Sequence, residues 1–313
     1  MTTPAGAAPR SHLYVPGDRP EVLRRAVARA ADALILDLED SVAAAAKERA
    51  RAAVAAFLAE RPAPVAAEPA LWVRVNPGAV GRADLAAVVG PALAGVCLAK
   101  TESVAEVAEV SWLIGALESE RGLQDGRIAL SPLLESAAAV FAAREIAATP
   151  RVLRLQIGEA DLCADIGVEP GPDERELLWV RSQVVLASAA ARIDPPVGPV
   201  STDYTDLGAL RESTVALRRL GFAGRACIHP AQLATVNEVF TPTPGEVERA
   251  YAVVAGHEAA IASGNGVFVD GRGRMVDLAV VRGARRTLAA ARLAGLRPRP
   301  EPPDLTQPTD RTD

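Results

Sequence analysis

Short apolar runs recur along the chain, and each is followed by a longer stretch with helical spacing. The runs are "HLYVPG" (12–17), "ALILDLED" (33–40), "LWVRVNP" (71–77), "GVCLAK" (95–100), "RIALSPLLES" (127–136), "VLRLQIGEAD" (152–161), "VGPVST" (197–202) and "RACIHP" (225–230). Several are continuous rather than alternating, as parallel strands buried on both faces should be. Ala/Arg/Glu-rich helical stretches separate them, the first opening at Pro20, where a missing N–H costs nothing. The repeated alternation predicts an α/β TIM (β/α)8 barrel over residues 10–240. A doubly wound open sheet is the alternative, but the first turn, "VPGDRP", lacks a Gly-rich phosphate fingerprint.

After residue 240 the pattern changes to a helix (245–263), a Gly-rich hairpin and a further helix, a C-terminal segment spanning 241–296. The Pro-rich, charged end, 297–313, reads as a disordered tail.

Composition narrows the function. The 313 residues are 50% hydrophobic, enough for a sizeable core. A net charge of −5, with no basic and aromatic-rich patch, argues against nucleic acid as a partner. No window of about 20 apolar residues is free of charges, which argues against a membrane span. The start carries no basic end followed by an apolar run, so a cytoplasmic protein is expected. Cys97, Cys163 and Cys227 are spaced for neither zinc pairs nor a disulfide scaffold.

In such a barrel the site forms at the C-terminal ends of the strands. Those ends carry Asp37, Glu39 and Asp40, then Arg74 and Asn76, Lys100 and Glu102, Glu135, Glu159 and Asp161, and His229. Glu135 and Asp161 would project from adjacent strands, and two converging carboxylates suit a hard divalent cation such as Mg2+. Three histidines and no thiolate cluster disfavour zinc. Asp37, Glu39 and Asp40 would orient waters around the ion. Other roles stay open: a helix N-terminal carboxylate for Glu135, a helix cap for Asp161, a solvated or capping role for Asp165, and a structural hydrogen bond for His229. Arg74 in a buried strand needs an anion, either an internal carboxylate or a ligand. Lys47 and Arg51 read as a solvated helix face.

The segments "RSHLYVPGDRPEVLRRAVARAADALILDLEDSV", "WVRVNP", "CLAKTES", "LSPLLESAAAV", "LQIGEADLCADIG", "ACIHPAQLATVNEVFTPTPGEVERA" and "GRGRMVDLAVVRGARRTLAAA" follow one another in an order that resembles the citrate lyase β-subunit-like CoA ester lyases of the HpcH/HpaI aldolase family. The resemblance covers roughly residues 10–293. It implies Mg2+ held by Glu135 of "LLES" and Asp161 of "GEADL", with Glu135 also near the substrate. It implies that Arg74 of "RVN" binds the substrate carboxylate. It further implies that the C-terminal segment lids a neighbouring subunit of a homotrimer or hexamer and brings in Asp277 of "MVD" as acid/base.

The sequence departs from the usual "IET" and "MID" forms at "LLES" and "MVD", with the carboxylates kept. The activity implied is cleavage of a β-hydroxyacyl-CoA ester (citryl-, malyl- or citramalyl-CoA) to an acyl-CoA and an oxoacid, or the reverse condensation. Arg10, Tyr14 and Arg19 are candidates for the CoA phosphates. Two alternatives stand beside it: a CoA-independent 2-oxoacid aldolase, and a β-subunit acting only within a carrier-protein-dependent citrate lyase complex.

Overall fold

The computed structural model describes residues 8–64, 68–264, 267–271 and 273–296. Eight parallel strands close into a barrel: β1 (Ser11–Pro16), β2 (Ala33–Asp37), β3 (Ala70–Val75), β4 (Gly95–Leu98), β5 (Ala129–Leu134), β6 (Gln156–Ile157), β7 (Val197–Gly198) and β8 (Gly224–Cys227). Each pairs with the next, and β8 returns to β1. Every strand overlaps an expected apolar run, with β1, β3 and β8 starting one residue earlier, and helices follow the strands, so the architecture is a TIM barrel.

Alternation along the strands sorts side chains into two layers. Leu13, Val15, Leu34, Leu36, Val73 and Val75 join the large core beneath the helices. Ala33, Ile35, Trp72 and Cys97 form a smaller cluster with Tyr14, the filling of the barrel itself. Trp72 fits because its register partner is Gly95, where a Cβ would stand 2.3 Å from the indole. Two residues further along their strands, on the same inward face, come Asp37 and Arg74.

The sixth strand is shorter than the pattern suggested. It stops at Ile157, and residues Glu159–Ile166 form a helix with Gly158 at its N-cap. Glu159 and Asp161 therefore stand in the first turn of a helix, where unpaired N–H groups favour negative charge. In a strand they would have had to be buried. Asp161 is in that first turn but is not the cap.

The chain divides into two compact units, Ala8–Phe240 and a second one from Thr241. In the second, helix Pro244–Ala262 starts with a Thr243/Glu246 capping box, and β9 (Phe268–Val269) pairs antiparallel with β10 (Met275–Val276). Helix Leu278–Leu293 follows, and Val247, Ala250, Ala284, Leu288 and Ala291 form this unit's own core. The expected tail lies outside the described residues. Among the described residues no helix is long and apolar enough to cross a membrane.

Candidate active site

At the C-terminal rim, Asp37 of β2 sits in register with Arg74 of β3. Arg74 donates from Nε to Asp37 Oδ1 and from Nη2 to Oδ2, both at 2.6 Å. Its guanidinium carbon lies 4.9 Å from the centre of the Tyr14 ring below. Burial opposes both charges, but each outweighs that cost for the other, holding Asp37 below the usual carboxylate range and Arg74 above its own. The anion that Arg74 needs is thus internal. Nη1 is differently placed: Glu39 Oε2 is 3.0 Å away, yet that oxygen is buried without a hydrogen bond. Asp40 Oδ2 lies 3.8 Å from the same nitrogen, so Nη1 is held by charge and not by a hydrogen bond of the kind Nε and Nη2 make.

Lys100, just past β4, has φ +49, the left-handed region that costs a non-glycine residue energy and recurs at functional sites. In that conformation its backbone N–H donates to Glu135 Oε2 at 2.8 Å. Its Nζ reaches Glu39 Oε1 at 2.5 Å and Asp40 Oδ1 at 3.1 Å. Burial lowers the Lys100 affinity for its proton, but the two carboxylates more than reverse this. Asp37, Glu39 and Asp40 were expected to orient waters; the structure uses them to hold Arg74 and Lys100. The αL turn at Lys100 leaves no signal in the sequence.

Glu135 directly follows β5, and Asp161 opens the helix after the adjacent β6. Glu135 is 6% exposed. Burial, and after it the negative charge of Asp161, push its carboxyl up to about 7, against the pull of the Lys100 N–H. Gly158 makes the space: a Cβ there would lie 2.5 Å from Glu135 Oε1. The three acids of "GEADLCAD" then separate. Glu159 accepts a two-point contact from Arg181, at 2.6 and 2.7 Å. Asp165 accepts from the Ala137 N–H at 2.8 Å, in the first turn of the helix after Glu135. Asp161 is exposed and has neither a hydrogen bond nor an ion pair among the described residues.

Two carboxylates close enough for one charge to act on the other, one half-satisfied and one without a partner among the described residues, fit a divalent cation that would relieve their repulsion. No group of three or more His, Cys, Asp or Glu able to hold a metal is found among the described residues. A donor set of two carboxylates suits a hard cation that leaves its other positions to water and substrate, as Mg2+ does.

Behind the rim, the supposed solvated helix face is structural. Lys47 Nζ donates to the carbonyls of Leu38 and Glu39 at 2.8 and 2.6 Å, bracing the acidic loop from below. Arg51 Nε binds Asp84 at 2.8 Å, and Asp84 in turn accepts from Asn76 N and Nδ2. Sequence reasoning missed Lys47, Asp84 and Arg181, because helical spacing does not show which long side chains fold back.

The suggested CoA patch does not form. Arg10 precedes β1 at the opposite end of the barrel and grips Asp32, and Tyr14 lies inside the barrel. His229 caps the turn that follows it through its Nδ1 and stacks on Tyr204 at 4.6 Å. Asp277 belongs to the second unit, where its Oδ1 caps the Leu278–Leu293 helix by accepting from Ala279 and Val280 N–H at 2.9 and 3.0 Å. Those bonds hold its carboxyl below the usual range.

The closed barrel, with acids and a buried arginine gathered at the C-terminal rim, places the chain in the class of TIM-barrel enzymes, whose sites form there. The chain belongs to the HpcH/HpaI aldolase/citrate lyase family, whose pattern it matches over residues 10–230, and it is a carbon–carbon lyase. It is 35% identical over 284 residues to the citrate lyase subunit beta-like protein of Deinococcus radiodurans, covering 90% of this chain and 96% of that one. It is 31% identical over 303 residues to the L-malyl-CoA/beta-methylmalyl-CoA lyase of Cereibacter sphaeroides, covering 88% and 92%. The crystal structure of CitE from Mycobacterium tuberculosis in complex with magnesium, acetoacetate and coenzyme A superposes with a TM-score of 0.71 at 32% identity, covering 93% of this chain and 100% of that one.

Proposed function

We propose that the protein is a Mg2+-dependent lyase that cleaves a β-hydroxyacyl-CoA ester carrying a carboxylate, of the malyl-, citramalyl- or citryl-CoA type, to an acyl-CoA and an oxoacid, or catalyses the reverse condensation. The observation that carries it is the arrangement of Glu135, Asp161 and Arg74 on one rim of the barrel, two acids that repel each other next to an arginine whose Nη1 makes an ion pair with Glu39 but no hydrogen bond. Relatives named as citrate lyase β subunits and a malyl-CoA lyase support the substrate class, and the solved complexes with magnesium support the ion.

Bound between Glu135 and Asp161, Mg2+ would supply Lewis-acid polarisation of the substrate oxygens beside the bond that breaks. Arg74 binds the substrate carboxylate through Nη1, while Asp37 holds the other side of the guanidinium and Tyr14 its lower face. Lys100 holds Glu135 in place through its backbone and balances Glu39 and Asp40 through its side chain.

Cleavage moves one proton from the substrate hydroxyl to the α-carbon of the departing acyl-CoA, and condensation moves it back. Asp277 relays it, first as the carboxylate that takes the proton up and then as the acid that releases it, with the second unit of one subunit serving the barrel of another. Its capped carboxylate is deprotonated at neutral pH, the form required to take up that proton. Glu135→Gln and Asp161→Asn test the reading. Each should abolish chelator-sensitive cleavage while far-UV circular dichroism is unchanged; full activity in either variant would refute it.

A further inference from the structure

Arg181 lies on the helix Leu178–Ala191, is 3% exposed, and was not among the residues that the sequence marked as functional. Three bonds converge on it. Nε and Nη2 hold both oxygens of Glu159 at 2.6 and 2.7 Å, and Nη1 holds Glu174 Oε2 at 2.7 Å. Glu174 makes its contact from φ +50, a left-handed backbone for a non-glycine residue. The guanidinium thereby joins the beginning of the Glu159–Ile166 helix to the end of the loop that leaves it.

Two residues after Glu159 stands Asp161, the one acid of this helix with no partner of its own among the described residues. Four residues beyond that, Asp165 is fixed to Ala137 N–H, beside Glu135. The helix is therefore fastened on both sides of Asp161, by Glu159 and by Asp165. A helical turn held at i−2 and i+4 has little freedom to rotate, so the carboxylate between them keeps one position relative to Glu135.

We propose that Arg181 is a positioning residue for Asp161: its two-point grip on Glu159, braced by Glu174, orients the first turn of the helix so that Asp161 faces Glu135. This rests on the reading of Glu135 and Asp161 as an ion-binding pair. A fork is required for the role, because a lysine supplies the same charge from a single point.

The test uses Mn2+ as the probe ion and the full chain. Calorimetry gives the Mn2+ dissociation constant for the wild type, Arg181→Lys and Arg181→Met, and hydrogen exchange of the Leu162–Asp165 amides is measured on metal-free protein. Both variants should bind Mn2+ about tenfold more weakly or worse, the scale seen when support behind metal ligands is lost. Their exchange in this helix should quicken while the barrel strands stay protected.

A role of charge alone gives the opposite sign, since removing a nearby cation in Arg181→Met would tighten Mn2+ binding. That result, or an unchanged constant in Arg181→Lys, overturns the inference and leaves the ion-binding pair standing. A wild type that binds no Mn2+ overturns both.

Discussion

Glu135 occupies the space where Gly158 would carry a side chain, with Oε1 and Cγ each 2.5 Å from the position of a Cβ. A glycine on one strand end therefore sets the pose of a carboxylate on its neighbour. Gly158→Ala should leave the barrel folded but push Glu135 aside. A displacement of about 1 Å in such a site costs about 10²-fold in rate, so kcat should fall on that scale and Mg2+ dependence should shift to higher concentration. Unaltered steady-state kinetics in the variant would show that the pose of Glu135 does not matter.

The Glu135 carboxyl gives the metal-free protein a pH signature. Burial first, then Asp161, raise it from 4.5 in the unfolded chain to about 7 in the folded one. Between those values the folded state holds the extra proton, so stability should decline as pH rises from about 4.5 to 7, by on the order of 3 kcal/mol, and level off above. Saturating Mg2+ favours the carboxylate and should remove the decline. Urea unfolding at pH 5 and pH 8, with chelator and then with Mg2+, reads the difference, which should also vanish in Glu135→Gln.

The substrate-binding duty proposed for Arg74 and its structural duty beside Asp37 are separated by two substitutions. Arg74→Lys keeps a charge beside Asp37 but loses the fork and the face laid on Tyr14. Oxoacid affinity in the condensation direction should drop by about 10²-fold or more, with modest loss of stability. Arg74→Ala leaves Asp37 buried and unpaired, and should cost about 3–5 kcal/mol in unfolding experiments. Equal stabilities would mean that Asp37 finds another partner.

For Asp277, the capping bonds suggest the cleanest variant. Asparagine caps a helix as well as aspartate does, so Asp277→Asn should leave the Leu278–Leu293 helix and thermal stability intact. Loss of a general acid or base costs about 10²–10⁴-fold, and the fall should appear in kcat with CoA-ester binding unchanged. Normal turnover would remove Asp277 from the chemistry.

Periodicity alone located all eight strands, because parallel strands buried on both faces are continuous apolar runs. It misjudged the sixth: "VLRLQIGEAD" is apolar only as far as Ile157, and the acids beyond it are stabilised as a helix start rather than a strand. The polar residues at the strand ends were legible for the same reason that the barrel was. Their partners were not. That Arg74 is held by Asp37 depends on register, that Lys100 turns its N–H to Glu135 depends on a left-handed φ, and that Lys47 folds back on the Leu38 carbonyl depends on tertiary packing. Arg10 and Arg19 look like neighbours in sequence, but β1 separates them by the height of the barrel.

The most direct measurement is acetyl-CoA release by the purified protein from malyl-CoA, citramalyl-CoA and citryl-CoA, with Mg2+ and with EDTA, for the wild type and Asp161→Asn. Release from at least one ester, abolished by EDTA and by the substitution, is the expected result. Release that survives both, or no release from any of the three, would contradict the account.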